Sequence, residues 1–378
     1  EIWISEAQVR MVLAVPPDHV AALTAIAEAE NVEWCDLGHY GTDDAELVLT
    51  YEGEQVGRMS MEFLHNGIPQ PTRQAAWTPP RVKAKAEPAQ PAFDDLLLKL
   101  LGHPNIASKH WIVRQYDHEV QGGSAVKPLM GRSQSGPADA AVIRPKLGSQ
   151  RGLAVSCGLA TPLGDIDPYW MTLAAIDEAV RNAVCAGARP DRIAILDNFC
   201  WPNCEKPENL GALVRAAEAC YDGAKAYRTP FISGKDSLNN EFKTESGETI
   251  AIPPTLLISA VGIVDDVSRC MTMDAKQPGD VLIQIGQTDD RLGGSHVASV
   301  GGFEAGGLPE VDLAAAPSRM VAVARLIADG LVRAAHDCCE GGLLVAAAEM
   351  AFAGDRGVEI DLDQAPVTGD ATSLDRAF

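Results

Sequence analysis

PDRIAILDNF, residues 190–199, and TPFISGKDSLNNE, residues 229–241, each carry a short apolar run that ends in small polar groups. Arg192–Leu196 and Pro230–Ser233 read as strands, and Pro207 to about Ala226 reads as a long helix between them. Upstream, Asp167 and Pro168 supply a cap and a first-turn proline for another long helix, Tyr169–Cys185. Leu173, Ile176, Val180 and Val184 recur along it at spacings of three and four, giving it one apolar face. Downstream, Thr255–Val264 is an uninterrupted apolar run suited to a sheet centre. Trp111–Arg114, Ala140–Arg144 and Gly152–Cys157 are further strand candidates. Two long helices over one side of a sheet predict an α+β sandwich layer.

Residues 1–75 begin with a strand-like run, Met11–Val15, and Pro16-Pro17-Asp18 then opens a helix with Val20, Leu23, Ile26 and Ala27 at helical spacing. Two β-rich runs, Glu46–Tyr51 and Gln55–Met61, are joined by Glu52-Gly53-Glu54. The first strand of this βαββ unit has nothing before it to pair, which predicts the tail of a larger domain. Residues 76–92 hold four prolines and no apolar periodicity, the signature of a stiff linker crossing a surface. The next unit runs from Phe93, with a short helix at Asp94–Leu101, to about residue 273. Residues 274–378 offer strands at Val281–Ile285 and Val332–Ala335 and helices at Pro317–Asp329 and Gly341–Phe352. No strand or helix is expected near Phe378, so this domain reads as cut off.

The chain has 378 residues, 46% hydrophobic and 22% charged, an ordinary globular composition with room for two or three domains. Its net charge of −21 argues against a nonspecific partner among nucleic acids or anionic membranes. A small phosphorylated substrate stays open, because a few local donors suffice to bind one. No run of about 18 apolar residues is present, so no membrane span is expected. The chain opens Glu1-Ile2-Trp3-Ile4 without an initiating Met, which reads as a fragment or a processed chain.

Nine cysteines at irregular spacing, mostly in apolar runs, predict reduced buried thiols in a cytoplasmic protein. Cys200 and Cys204 have three residues between them, and Cys338 and Cys339 are adjacent. Neither arrangement suits structural zinc, and no base is identifiable for a cysteine nucleophile.

The segment 229–241 is the leading chemical candidate. Gly234 would let the backbone approach a ligand or adopt positive φ. Lys235 offers a point charge to a phosphate, Asp236 a hard oxygen to Mg²⁺, and Ser237 a donor to a phosphoryl oxygen. The segment is not a P-loop, whose leading glycine and spacing are absent. A turn closing a β-element, capped by Asp and Asn, accounts for the same residues. Asp197 ends the other strand, where a carboxylate suits a metal or a ribose hydroxyl, or an Asx-turn cap. If the two strands pair, these ends become neighbours. Asp165 and Asp167 form another acidic pair, with Asp167 already used as a helix cap. Arg291–His296 and His336–Gly342 are glycine-marked loops; the second leads into a helix N-terminus that favours an anion. Tight turns forced by domain packing explain both loops as well, and no partner can be assigned to His336 as a general base.

Several long segments now match one family in order. These are Asp165–Asn182, Pro190–Phe199, Phe231–Glu241, Arg114–His118 with Val120-Gln121 and Lys127–Leu129, Leu292–Ser295, and His336-Asp337 with Gly341–Leu343. Together they resemble the phosphoribosylformylglycinamidine synthase family of purine biosynthesis, with its AIR-synthase-like fold. The resemblance implies a larger enzyme built from two copies of a two-domain repeat. Each copy has an N-terminal α/β sheet domain that joins its counterpart in a shared barrel, then a C-terminal α/β domain. Residues 1–75 would be the end of the first-repeat C-terminal domain, with Ser5–Gln8 and Arg10-Met11 matching its segment. Residues 76–92 would be a linker, 93–273 the second-repeat N-terminal domain, and 274–378 a truncated second-repeat C-terminal domain.

The reaction so implied is that of a ligase. ATP phosphorylates the formamide oxygen of formylglycinamide ribonucleotide with Mg²⁺ present, and ammonia from a glutaminase domain or subunit displaces phosphate. Asp197 and Gly234 match positions that touch ATP, and Ser237 matches one that touches substrate. Many relatives carry Asn at the position of Lys235, so the expectation is that Lys235 contacts phosphate or that Asp236 serves as the metal ligand. The catalytic histidine belongs to the missing first-repeat N-terminal domain, so no catalytic residue is assigned in this chain and no synthetase activity is expected of it alone. A second, degenerate cleft at 165–167, 291–296 and 336–342 is expected to hold a nucleotide structurally. Competing readings are an aminoimidazole ribonucleotide synthetase-like or selenophosphate synthetase-like enzyme, or a non-catalytic nucleotide-binding scaffold. The linker between parts of two repeats speaks against the single-repeat enzymes.

Overall fold

The computed structural model describes residues 10–88, 91–119 and 121–378, in two compact units that divide at Thr72 and Arg73. Ser5–Gln8 and Val120, used in the resemblance, lie outside the described residues.

In the first unit a one-turn 3-10 helix at Pro17–His19 leads into α1 (Val20–Ala29), as its prolines predict. Strands β1 (Glu46–Tyr51) and β2 (Glu54–Ser60) pair antiparallel. Glu52 and Gly53 both take positive φ, the conformation a two-residue hairpin turn requires. Ser60 caps the short α2 (Met61–Asn66) by accepting the Phe63 N–H. Met11–Val15 is not the expected strand, and Met11 is 87% exposed. An isolated strand leaves its N–H and C=O groups unpaired, and no described strand pairs with this one.

The second unit is ordered around one six-stranded sheet. Its elements begin with α3 (Phe93–Leu101), α4 (His110–Val113), β3 (Ser124–Val126), β4 (Leu129–Met130), β5 (Gly136–Pro137), β6 (Ala141–Ile143) and β7 (Gly152–Leu159). There follow α5 (Thr161–Gly164), α6 (Pro168–Cys185), β8 (Ile193–Cys200), α7 (Pro207–Tyr227) and β9 (Phe231–Ser237). After these come β10 (Glu241–Lys243), β11 (Thr249–Ala251) and β12 (Thr255–Val264). The unit ends with α8 (His296–Gly301), α9 (Ala316–Ala328), α10 (Gly342–Gly354) and α11 (Ser373–Ala377).

The sheet order is β3-β6-β7-β12-β8-β9. β12 therefore lies between β7 and β8, where its apolar run predicts. Its buried residues alternate, with Leu256, Ile258 and Ala260 at 0% exposure facing the helices. Ile176, Val180 and Val184 of α6 share a core with them, and Leu173 is buried next to Gly223 of α7. Asp167 caps α6 by accepting the Tyr169 N–H at 2.9 Å, and the Ser156 hydroxyl ties β7 to it by donating to the Ala179 carbonyl at 2.7 Å. A smaller core gathers Leu96 and Leu100 of α3 with Leu292, Val297, Val345 and Leu374.

Residues 76–88 form neither helix nor strand, yet they are anchored. The Ala76 N–H donates to the Pro207 carbonyl, Trp77 packs on the main core, and Lys85 pairs with Asp375 at 2.5 Å.

Several expected strands are corrected. Trp111–Arg114 forms the one-turn helix α4, with Trp111 66% exposed. Val281–Ile285 and Val332–Ala335 are not strands, because no described neighbour completes their backbone hydrogen bonding; Val281 is 81% exposed. A helix is present near the C-terminus after all: α11 is closed by a capping box between Thr372 and Asp375. The cysteines are free, and Cys35, Cys157, Cys338 and Cys339 are exposed rather than buried.

Candidate functional site

Strands β8 and β9 pair in parallel, in the register Asp197 with Gly234, Asn198 with Lys235, Phe199 with Asp236 and Cys200 with Ser237. The two polar segments thus meet at one end of the sheet. Both strands also run further than the apolar residues predict, so Asp197 and the Gly-Lys-Asp-Ser run lie on strands and not in loops beyond them. Backbone pairing carries polar side chains along once the neighbouring strand is in place.

The pleat then sorts the candidates by face. Asp197 follows Ile193 and Ile195 on the helix-covered face. Its carboxylate lies over Gly234, where an added Cβ would stand 2.4 and 2.6 Å from its two oxygens. Gly234 has no positive φ, so its role is close approach, and no side chain fits there. Asp236 is on this face as well. Lys235 and Ser237 are on the other, where the Lys235 ammonium donates to the Ser237 hydroxyl. One ligand resting on all four residues of the run from a single side is therefore not what the strands offer.

Burial raises the Asp197 carboxyl above its ordinary range; the Lys235 N–H lowers it and the charge of Asp236 raises it again. Gly234, Lys235 and Asp236 are exposed along the edge strand, and Ser237 is half-buried.

A second polar cluster surrounds the His336–Gly342 loop. Nδ1 of His336 lies 2.7 Å from Asp139 and Nε2 lies 2.9 Å from Glu349, with the imidazole nearly sealed from solvent. Burial pulls its pKa down, but the charge and hydrogen bond of Asp139, the hydrogen bond of Glu349 and the charge of Asp337 push it up to about 11. With both nitrogens held by carboxylates, His336 is an imidazolium brace and has no free lone pair to act as a base.

Asp337, raised by burial, donates its N–H to Asp139 and pairs with Arg181 at 3.3 Å. Arg181 also pairs with Asp177, which accepts the Tyr227 hydroxyl. Glu178 is pushed up to about 8 by burial and by the charges of Glu340 and Asp337. Donor atoms of Glu178, Asp337 and Cys339 lie within 4.8 Å of one another, but a thiol in the set is ill-suited to magnesium.

Sequence reading missed Asp139, Asp177, Glu178, Arg181 and Glu349. The available signal was the charged and amide residues Asp177, Glu178, Arg181 and Asn182 inside the largely apolar α6.

The remaining candidates are engaged locally. Asp167 also accepts from Arg215 at 2.9 and 2.5 Å, which fixes it as a structural cap. Arg291 pairs with Asp289 and Glu310, while the ring of His296 is buried edge-on to that of His103.

The family pattern for the AIR synthase related protein N-terminal domain matches residues 137–264, and that for its C-terminal domain matches 277–376. Phosphoribosylformylglycinamidine synthase subunit PurL of Deinococcus radiodurans is 36% identical over 386 residues, covering 99% of this chain and 50% of that protein. PurL of Thermococcus sibiricus is 31% identical over 380 residues, covering 100% of this chain and 50% of that protein. The chain spans about half the length of these curated relatives. Among solved structures, PurLQS from Thermotoga maritima is similar in fold, with a TM-score of 0.50 and 22% identity over 73% of this chain and 41% of that one.

Proposed function

We propose, from the premise that this chain belongs to the AIR synthase related protein family, that it is the second repeat of a phosphoribosylformylglycinamidine synthase, preceded by the tail of the first. The whole enzyme would be a cytoplasmic ligase of purine biosynthesis. ATP phosphorylates the amide oxygen of formylglycinamide ribonucleotide, and glutamine-derived ammonia from a glutaminase domain or subunit displaces phosphate to leave the amidine. In this reading residues 1–75 close the first repeat, 76–92 link, 93–273 form the second N-terminal domain and 274–378 part of the second C-terminal domain.

The observation that carries the reading is the register that sets Asp197 against Gly234 at the end of β8 and β9. Gly234 lets the half-buried Asp197 carboxylate approach the β9 backbone closely, and that carboxylate is a charge to attract a ligand's cation. Asp197 and Gly234 contact ATP from the helix-covered side, and Lys235 supports a phosphate while Ser237 holds substrate from the other. Asp236 fits a hard divalent ion: it is an exposed carboxylate on the same face as Asp197, and its charge is felt there. Mg²⁺ bound at this position would neutralise phosphate charge during transfer. Phosphoryl transfer needs positioned donors more than a covalent nucleophile, which agrees with the residues present.

The test is an ATP–Mg²⁺ titration of the chain and of Asp197→Asn and Gly234→Val. Both substitutions should weaken binding at least about tenfold, or 1.4 kcal/mol; equal affinity in all three would remove the reading. The chain alone should release no ADP in response to formylglycinamide ribonucleotide and ammonia. A nucleotide-holding scaffold is the second reading, favoured by the division of the candidates between two faces. In the full-length enzyme it requires Asp197→Asn to leave kcat intact.

A further inference from the structure

Residues 76–87 touch both regions matched by the family patterns, and at each end a glycine permits the approach. At the start, a Cβ on Gly211, inside α7, would stand 2.1 Å from the Ala76 carbonyl oxygen. Glycine weakens a helix interior, so the chain crossing at Ala76 is what accounts for it there. Trp77 then lies against the Arg215 guanidinium, which is 5.9 Å from its ring centroid. At the far end Ala86 forms an antiparallel bridge with Glu304, and a Cβ on Gly306 would stand 2.9 Å from that of Lys85.

Lys85 pairs with Asp375 at 2.5 Å and also with Glu87, and Glu87 accepts from the Thr372 hydroxyl at 2.9 Å. The Asp375 side chain is 0% exposed, and among the described residues Lys85 is the cation that ion-pairs with it. α11, which carries Asp375, has five residues, too few to stand as an isolated helix. It holds its place by docking: Leu374 and Ala377 are buried, and the Phe378 carbonyl oxygen lies where a Cβ on Gly342 would be 2.4 Å away. Gly342 opens α10 and ends the His336–Gly342 loop.

We propose that residues 76–87 are a latch: the Lys85–Asp375 pair keeps α11 docked on Gly342, and its loss frees α11 and the His336–Gly342 loop together. A carboxylate sealed from water and deprived of its cation is costly, and undocking α11 returns it to water. The buried contacts of Leu374 and Ala377 oppose that movement, so the latch opens locally while the sheet stays folded. The chain enters the latch directly from the first unit, which gives that unit a covalent path to the polar loop. The latch stands whether or not Asp197 binds ATP.

Hydrogen exchange read by mass spectrometry on the full chain tests it. In Lys85→Gln the amides of 336–342 and 373–378 should exchange at least about tenfold faster, while those of β12 keep their parent rate. Adding Asp375→Asn removes the stranded charge and keeps a capping oxygen, so the double variant should regain most of the lost protection. Gly211→Ala would ordinarily strengthen a helix, yet here it drives a methyl into the crossing backbone, so exchange at 76–80 should rise. Acceleration spread evenly over the sheet, unchanged exchange at 336–342 in Lys85→Gln, no recovery in the double variant, or unchanged exchange at 76–80 in Gly211→Ala would each overturn the proposal.

Discussion

The β8–β9 end and the His336 cluster both hold aspartates away from water, yet they are built on opposite electrostatic terms. Around His336 three carboxylates find a cation of the chain: Asp139 and Glu349 grip the imidazolium, and Asp337 grips Arg181, while neighbouring Glu178 is pushed up by burial and by the charges of Glu340 and Asp337. At Asp197 the side-chain charge that bears on it is another carboxylate, Asp236. Burial of charge alone therefore does not mark a ligand site. A closed set of charges is a brace, whereas an unmatched carboxylate beside a bare glycine asks for a cation from outside.

Substitutions should separate the two regions by sign as well as by size. His336→Ala strands two buried carboxylates and should cost about 3–5 kcal/mol in a urea unfolding curve; a loss below about 1 kcal/mol would mean the brace is not formed. The same residue sets a pH dependence. Its folded pKa of about 11 lies above the ordinary 6.5, so its stabilisation is whole below about pH 6.5 and fades as pH rises toward 11. Thermal melts across that window should fall for the parent chain and flatten for His336→Ala.

Gly234→Ala forces a Cβ against the Asp197 carboxylate and should cost about 1–3 kcal/mol by overpacking. Combining it with Asp197→Gly should recover most of that loss, and no recovery would place the clash elsewhere. Asp167→Ala removes a helix cap that is already paired, and about 1–2 kcal/mol is expected from chemical denaturation. The smallest effect is the most telling. Asp197→Asn relieves a carboxylate that burial disfavours, so the melting temperature should rise slightly while ATP affinity falls. A drop in melting temperature would make Asp197 part of the scaffold.

Much of the sheet layer was legible because its residues repeat with a clean period. Asp167-Pro168 and the Leu173–Val184 stripe announced α6, and the length and apolarity of Thr255–Val264 announced the central strand. The same reasoning failed at Met11–Val15, Val281–Ile285 and Val332–Ala335, whose composition suits strands but whose edges have no described partner. It also ended β8 and β9 too early, since polar residues extend a strand once a neighbour is in register. The Asp197–Gly234 meeting was legible as a condition on pairing, while the separation of Lys235 and Ser237 onto the other face was not.

Sequence alone determined which segments are helical or extended where periodicity, caps and prolines agree, because those preferences act between near neighbours along the chain. Tertiary structure decided the parallel register that lays the Asp197 carboxylate over Gly234, and it brought Asp139 and Glu349 onto the two nitrogens of His336. Those outcomes depend on groups as far as 197 residues apart. Whether a charge ends up answered or unanswered is set by the whole packed neighbourhood, which no local stretch encodes.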